Sequence, residues 1–365
     1  MRPSLCLLAC LTGFSLLVGC ESTVERGAET DLAVVDAQRS AGHVGGTAVD
    51  SLIDRLVRRD GFERAELERI FARVEHQPWI IDLMDRQAPA PPSGPTGAWT
   101  RYRARFVTSD NIANGVRFWR RHAEALEQAE KRYGVPPEYI VAILGVETRY
   151  GGYLGGTRII DALATLAFDY PRRAEFFTGE LESFLIMCRD EGMNPFAPEG
   201  SYAGAMGLGQ FMPSSFHGFA VDFDGDGRRD LWDPVDAIGS VANYLSGHGW
   251  RRGEPVAVPA DASGYRPRSI QAGFKSRYPV ATLASHGVTA TRPLTGHARV
   301  SLLELDAAGG YEYWLGLNNF RVITAYNRST YYAMSVHQLA QALRRAEAAG
   351  PILSQVAGAG RAPPL

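Results

Sequence analysis

One stretch limits the possible folds of this chain more than any other: Val135 to Gly156, VPPEYIVAILGVETRYGGYLGG. Pro136 and Pro137 suit the first turn of a helix, where a missing N–H costs nothing, and the glycines from Gly151 onward suit its end. Ile140, Ile143 and Leu144 recur at helical spacing and form an apolar stripe. Glu147 falls on that stripe. A glutamate on a core-facing position loses hydration, which disfavours its charged form and raises its pKa towards the range of a general acid. A buried glutamate satisfied by an arginine or by backbone donors would leave the same trace.

The N-terminus sets the compartment. Met1 to Cys20 holds one basic residue, Arg2, then the apolar run Leu5 to Val18, too short and wrongly flanked for an ordinary membrane span. It reads as a secretion signal over 1–19, and its ending, Leu17-Val18-Gly19-Cys20, resembles a bacterial lipobox, which implies lipid on the Cys20 thiol. In lipoboxes an Asp at the next position retains the protein in the inner membrane. Here that position is Glu21, which favours a periplasmic location on the outer membrane. Cys6 and Cys10 leave with the signal and Cys20 would be lipidated, so Cys188 is the one free thiol and no disulfide framework is expected. The formal net charge of −2 argues against a nucleic-acid partner.

Residues 20–48 are polar, acidic and rich in small residues, as in a flexible tether. From Val49 two helical stripes follow, Leu52, Ile53, Leu56 and Val57, then Leu67, Ile70, Phe71 and Val74, broken at Gly61. The proline-rich segment Ala88 to Pro95 interrupts regular structure. Helical patterning resumes over Trp99 to Tyr133, with Ile112, Val116, Trp119 and Leu126 roughly in phase and Gly134 as the stop. Beyond the Glu147 helix, Ile160, Leu163, Leu166 and Ala167 mark another helical face, and Phe176, Phe177, Leu181, Phe184, Leu185 and Cys188 a third, with Cys188 as buried packing. Arg172 and Arg173 follow Pro171 at a helix start, where the dipole does not favour positive charge. They are an exposed pair without consequence, or they face an anionic group.

In Gly200 to Ser215, GSYAGAMGLGQFMPSS, glycines and alanines surround Gln210. The backbone there can approach a ligand closely while an amide is left to hydrogen-bond it, although a tight helix junction has the same composition. Asp222, Asp224 and Asp226 occupy positions one, three and five of a loop that begins like an EF-hand, with Gly227 at the sharp turn. Pro234 marks the first helical turn beyond it, so Asp233 is the N-cap and Asp236, three residues on, takes the closing role in a loop three residues longer than standard. Arg228 would offer its backbone carbonyl. All-oxygen ligands point to structural calcium, with an acidic surface turn as the alternative. Residues 254–312, rich in valine, threonine, proline and glycine, read as short strands in VAVP, YPVATL and ARVSLLEL. From Trp314 the chain returns to the core with NNFRVITAYNRST, and a closing helix runs from about Tyr331 to Ala348, in which His337 is packed or exposed; 351–365 is a loose tail.

Taken together, VETRYG around Glu147, DALATLAFDYPRRAEFF, GSYAGAMGLGQFMPSSF and LWDPVDAIGSVANYLSGHGW resemble the membrane-bound lytic murein transglycosylase B family, from about Trp99 to the last helix. The resemblance implies a mainly α (α+β) fold: a lysozyme-like core including 134–156 and 200–250, a helical part over 49–98 and 160–195, the lengthened EF-hand-like loop and a small β-rich insertion, all within a catalytic region 49–350. It implies peptidoglycan as substrate and cleavage between N-acetylmuramic acid and N-acetylglucosamine, with the muramic acid's own 6-hydroxyl closing a 1,6-anhydro ring. Glu147 would act first as acid and then as base, with no cofactor in catalysis. Asp161 and Asp169, the nearest other carboxylates, read as helix caps. By motif position Ser201 and Gln210 would contact the sugar and Tyr244 and Tyr326 would line the cleft. Tyr102 would stack on sugar, and Arg172 and Arg173 would meet lactyl or peptide carboxylates. Two alternatives stand beside this: a hydrolase (muramidase) using the same acid, and a non-catalytic, calcium-stabilised wall-binding lipoprotein.

Overall fold

The structure is a computed structural model that describes residues 46–86, 96–265, 270–294, 296 and 299–350. The signal, Cys20, most of the tether, the proline-rich segment and the tail therefore lie outside the described residues. In chain order the helices are α1 (Thr47–Asp60), α2 (Arg64–Phe71), α3 (Pro78–Asp85), α4 (Ala98–Arg103), α5 (Ser109–Arg121), α6 (Ala123–Tyr133), α7 (Pro137–Glu147), α8 (Ile159–Asp169), α9 (Ala174–Asp190), α10 (Pro213–Phe219), α11 (Pro234–Gly247), α12 (Val280–Ser285), α13 (Asn318–Tyr326) and α14 (Thr330–Ala348). The strands are β1 (Thr157–Arg158), β2 (Glu199–Gly200), β3 (Ala257–Asp261), β4 (Tyr278–Pro279), β5 (Thr289–Ala290), β6 (Arg299–Ala307) and β7 (Gly310–Gly316). The fold is mainly helical with a small sheet. No described helix is long and apolar enough to cross a membrane.

The chain divides into two compact units. The first falls within Met1–Pro92, Tyr153–Tyr244 and Asn327–Ser329. Its centre is α8, buried from Ile159 to Ala167 and packed on α9, with α10 against α9 and α3 against α8. Glu182 of α9 ties down α1 by accepting from Arg55 and Arg59, each at 2.8 Å. Glu180 takes the backbone N–H and hydroxyl of Ser214 in the first turn of α10. Gly61 ends α1 in the left-handed conformation, as the break in the stripes requires. Helix α1 starts at Thr47, two residues inside the expected tether, because Val49 is already needed in the core.

The second unit falls within Ser93–Gly152, Leu245–Tyr326 and Thr330–Leu365. Helix α7 is buried from Pro137 to Val146 on every side, as expected of a helix apolar all round, and α5, α6 and α14 pack on it. The stripe read from Ile140, Ile143 and Leu144 is therefore part of a fully enclosed segment. Five antiparallel strands form a sheet in the order β4-β6-β7-β3-β5, with a core of Val258, Leu283, Val288, Val300, Leu302, Leu315 and Leu317. Asp306 of β6 accepts from Thr96 Oγ1 and from the amides of Gly97 and Ala98, which caps α4 from a distant part of the chain.

Three expectations need correction. The sheet runs to Gly316, four residues past the expected end, because Trp314 pairs with both Leu303 and Pro259 inside β7. YPVATL is strand only at Tyr278–Pro279; Val280 opens the short helix α12, which puts Leu283 into the core. On α5 the buried residues are Asn111, Gly115 and Phe118, one position off the predicted Ile112, Val116 and Trp119, which stay half-buried. The Asn111 amide nitrogen donates to the carbonyls of Phe106 and Gly145, and a Cβ at Gly115 would lie 2.4 Å from the Tyr150 hydroxyl. Polar bonding at Asn111 and ring clearance at Gly115, together with burial of Phe118, choose the face.

Candidate active site

Glu147 is the last residue of α7 and is half-buried, whereas the ten residues before it are buried. Its carboxyl is accordingly neither sealed in the core nor freely hydrated. Burial raises its pKa to about 7, while a hydrogen bond donated by the Tyr332 hydroxyl to Oε1, at 2.5 Å, pulls the other way. Standing at a helix C-terminus also disfavours a negative charge. The two influences that set this pKa are burial and a phenol, and no second carboxylate contributes.

The chain directly after Glu147 is unusual. Arg149 and Tyr150 both have positive φ, 52° and 63°. For non-glycine residues that is costly unless the surroundings enforce it. Here Tyr150 is held by its N–H to the Leu144 carbonyl, its hydroxyl to the Asn111 carbonyl, and its ring stacked on Phe118 at 5.6 Å. Gly145, two residues before the end of α7, leaves the ring room, since a Cβ there would lie 2.5 Å from the phenol oxygen.

Tyrosines surround the acid. Tyr326 stacks on Tyr332 with ring centroids 6.4 Å apart and planes 11° apart. Tyr102 is half-buried against Phe106 and Tyr331, at 5.3 and 5.8 Å. Burial, then the charge of Glu147, pushes the Tyr102 phenol up to about 12. Tyr332 is pushed well above the ordinary phenol range by the same two causes, so these groups stay neutral donors at any physiological pH. Of the sequence-predicted residues, Glu147, Tyr102 and Tyr326 thus come together. Tyr332 was missed. It sits six residues after Tyr326 in RSTYYAM, and only the turn from α13 into α14 brings its hydroxyl to Glu147.

Ser201, Gln210 and Tyr244 belong to the first unit. Their loop is built by close backbone packing. A Cβ at Gly200 would lie 2.1 Å from the Ala205 carbonyl, one at Gly204 would strike Leu163 and one at Gly207 would strike Leu231. These three glycines accommodate the protein's own chain, which is the tight-junction reading of the two that the composition allows. Ser201 Oγ accepts from the Ala205 amide at 2.9 Å, which leaves its proton to donate. Gln210 has φ 50°, and its side-chain nitrogen donates to the carbonyls of Gly207 and Leu154 at 3.0 and 3.3 Å, so its Oε1 remains as acceptor. Tyr244 is buried between Phe211 and Phe219, and burial raises its phenol to about 12.

Arg172 and Arg173 do not act as a matched pair. Arg172 is exposed and bridges to Asp85 at 3.2 Å, whereas Arg173 is laid over the Phe176 ring at 4.1 Å. Phe176, expected on the buried face of α9 with Phe177, is itself 38% exposed, which corrects that expectation: its ring carries the Arg173 guanidinium instead of packing into the core. Asp161 and Asp169 are structural. Asp161 accepts from Arg158 and from the Glu75 amide, and Asp169, at the end of α8 instead of its start, pairs with His76. Cys188 is buried, which pushes its thiol up to about 12. His337 is buried with Nδ1 3.0 Å from the Tyr139 hydroxyl, and burial lowers its pKa to about 4.

The acidic loop has the donor set of a hard-cation site. Single carboxylate oxygens of Asp222, Asp224 and Asp226 lie within 4.8 Å of one another, and so do those of Asp224, Asp233 and Asp236. The turn is pre-formed: Gly225 and Gly227 amides donate to Asp222, that of Asp226 to Asp224, and that of Arg228 to Asp226. Asp233 caps α11 by accepting from the Val235 and Asp236 amides, as its spacing predicts. The buried Asp236 closes the loop, accepting from Phe223 and Asp230, each at 2.7 Å. Clustered carboxylates with fixed orientation fit a divalent cation of the calcium type.

Comparison with known proteins adds the following. The transglycosylase SLT domain family matches residues 46–341. Membrane-bound lytic murein transglycosylase B of Escherichia coli (strain K12) is 50% identical over 347 residues, 90% of this chain and 95% of that protein. Two solved structures of the Escherichia coli lytic transglycosylase SLT35 are similar, each covering 83% of this chain and 95% of the other at a TM-score of 0.79. One, a complex with bulgecin A, is 53% identical, and one, a complex with calcium, is 52% identical.

Proposed function

Because the chain belongs to the transglycosylase SLT domain family and is a lytic murein transglycosylase, we propose that Glu147 performs both proton transfers of a cleavage that consumes no water. In its protonated form Glu147 gives its proton to the glycosidic oxygen between N-acetylmuramic acid and N-acetylglucosamine as the C1–O bond breaks. As carboxylate it then removes the proton from the 6-hydroxyl of the same muramic acid, whose oxygen bonds to C1 and closes the 1,6-anhydro ring. The proton returns to Glu147 and the enzyme is ready for another turn. A pKa of about 7 carries this reading, because both forms of the acid are then populated near neutrality. The attacking oxygen is tethered to the reacting carbon, which gives it a high effective concentration over water.

Tyr332 orients the carboxyl and moderates its charge, and Tyr102 and Tyr326 supply aromatic faces for sugar C–H surfaces. Ser201 donates and Gln210 Oε1 accepts from sugar hydroxyl or N-acetyl groups, Tyr244 supports their loop, and Arg172 and Arg173 meet lactyl or peptide carboxylates. Asp222, Asp224, Asp226, the Arg228 carbonyl and Asp236 hold calcium, which stabilises the loop without taking part in bond cleavage. The location is periplasmic and membrane-associated, in keeping with the Escherichia coli relative. Lipid on Cys20 would anchor the protein, with the outer membrane as destination.

The test is mass spectrometry of muropeptides released from purified sacculi. Anhydro ends, lighter than reducing ends by one water, are expected; reducing ends would make the enzyme a muramidase.

A further inference from the structure

The second unit contains a pocket of about 220 Å³ beside the start of α13 that shares no lining residue with the Glu147 cluster. Four arginines line it, Arg251, Arg277, Arg299 and Arg321, and its one acidic lining residue is Glu254. Glu254 is already committed. Its Oε2 takes Arg251 at 3.2 Å and its Oε1 takes the Asn318 amide at the head of α13. Among the described residues Arg277, Arg299 and Arg321 have no carboxylate within salt-bridge distance; Arg299 donates to the Arg277 backbone carbonyl at 3.1 Å, which fixes its side chain against that residue's main chain.

All four arginines are exposed, yet their like charges converge on one concave surface with a single, already engaged carboxylate. Arg321 stands one turn into α13, where the dipole disfavours a cation, and that turn has no acidic residue to compensate. Burial and the neighbouring Arg277 both lower its pKa, as like charges brought together do. Local conflict without a structural gain is the mark of a binding site. The lining favours a polar group over a bilayer: none of the exposed large hydrophobic side chains among the described residues, Trp79, Tyr153, Phe176 and Tyr311, is part of it.

We propose that this arginine pocket binds the free carboxylates of a murein peptide stem, and so gives the enzyme a hold on the substrate distinct from the one at the scissile bond. The inference rests on peptidoglycan being the substrate. Planar guanidinium forks match carboxylates in pairs, and the peptide stems of peptidoglycan carry several such groups.

The experiment is a calorimetric titration of the folded protein with the free tetrapeptide stem, L-Ala-γ-D-Glu-diaminopimelate-D-Ala, in low salt. It needs no bond cleavage, so its outcome is independent of whether the product carries anhydro ends. The R277Q/R321Q protein is expected to bind about tenfold more weakly than the parent, as the loss of two exposed ion pairs implies. R277K/R321K should recover part of that affinity, and a stem with amidated carboxylates should bind both proteins poorly. Equal affinity in parent and glutamine variant, or no binding to the parent, overturns the proposal. So does loss of binding to phosphatidylglycerol vesicles while peptide affinity is kept, which would assign the surface to the membrane. A melting curve verifies folding of the double variant, and R299Q serves in its place if the melt fails.

Discussion

Glu147 and the loop Asp222 to Asp236 put the same functional group to different ends. At the end of α7 a single carboxyl is half withdrawn from water, with one phenol as hydrogen-bond donor and no cation near enough to count, and its pKa rises to about 7. In the acidic loop several carboxylates are crowded together, yet nearly every one accepts backbone amides that fix its direction. Isolation with partial burial suits a proton carrier. Crowding with backbone support suits a cation cage. The difference lies in the number of like charges nearby and in who satisfies them, not in the residue type.

The sharpest way to break this contrast is to change one carboxyl in each region and compare activity with stability. Glu147→Gln should lower turnover of sacculi by about 10³-fold, in the range of a lost general acid, while binding of glycan survives. Full residual turnover would end the assignment. The same substitution should stabilise the fold. A carboxyl whose folded pKa is raised is at no disadvantage below its unfolded pKa of 4.5 and costs stability as pH rises through 7. The variant's gain, about 1 kcal/mol after allowance for partial exposure, should appear in melts above pH 7 and vanish near pH 4.

Tyr332→Phe comes next. Removing the donor that favours the ionised form should cut kcat/KM about tenfold and move the Glu147 limb of the pH–rate profile to higher pH by about one unit. A shift to lower pH would mean that the phenol stabilises the protonated acid. For the loop, chelation by EDTA should lower the Tm by about 5 °C, as expected when an ion present at about 100 times its Kd is removed. Asp224→Asn should abolish that response with turnover retained once the protein is folded. An unchanged Tm at saturating chelator would leave the loop as an acidic turn.

The smallest effect concerns Asp306, whose pKa is held at about 2 by the Thr96 hydroxyl and the α4 amides. With a folded pKa below the ordinary 3.8, its contribution is present above pH 4 and lost as pH falls towards 2. Asp306→Asn should therefore lower the Tm slightly at pH 7, and the difference from the parent should narrow below pH 4.

The candidate residues of both regions were legible in the sequence because each group is local. Glu147 closes one helix bounded by prolines and glycines, and the aspartates of the loop follow one another at fixed spacing up to the Asp233 cap. The acid's phenol partner was not, since Tyr332 lies 185 residues away along the chain and one tyrosine among many looks like packing. Nor was the buried face of α5, which Asn111 and Gly115 decide by what they bond and what they let pass. YPVATL was misread because short β-branched runs fit a strand or a helix equally until the core claims a side chain.

By itself, then, the sequence determined the helical framework, the order of its motifs, the candidate acid and the cation loop, all of which depend on residues within a few turns of one another. Tertiary structure alone decided the electrostatics: how far Glu147 is withdrawn from water, which phenol meets it, and that four arginines from separate elements share one pocket. The reason is physical. Propensity and capping act over a few residues of chain, whereas desolvation and Coulomb interactions act over distances in space that only the folded chain sets.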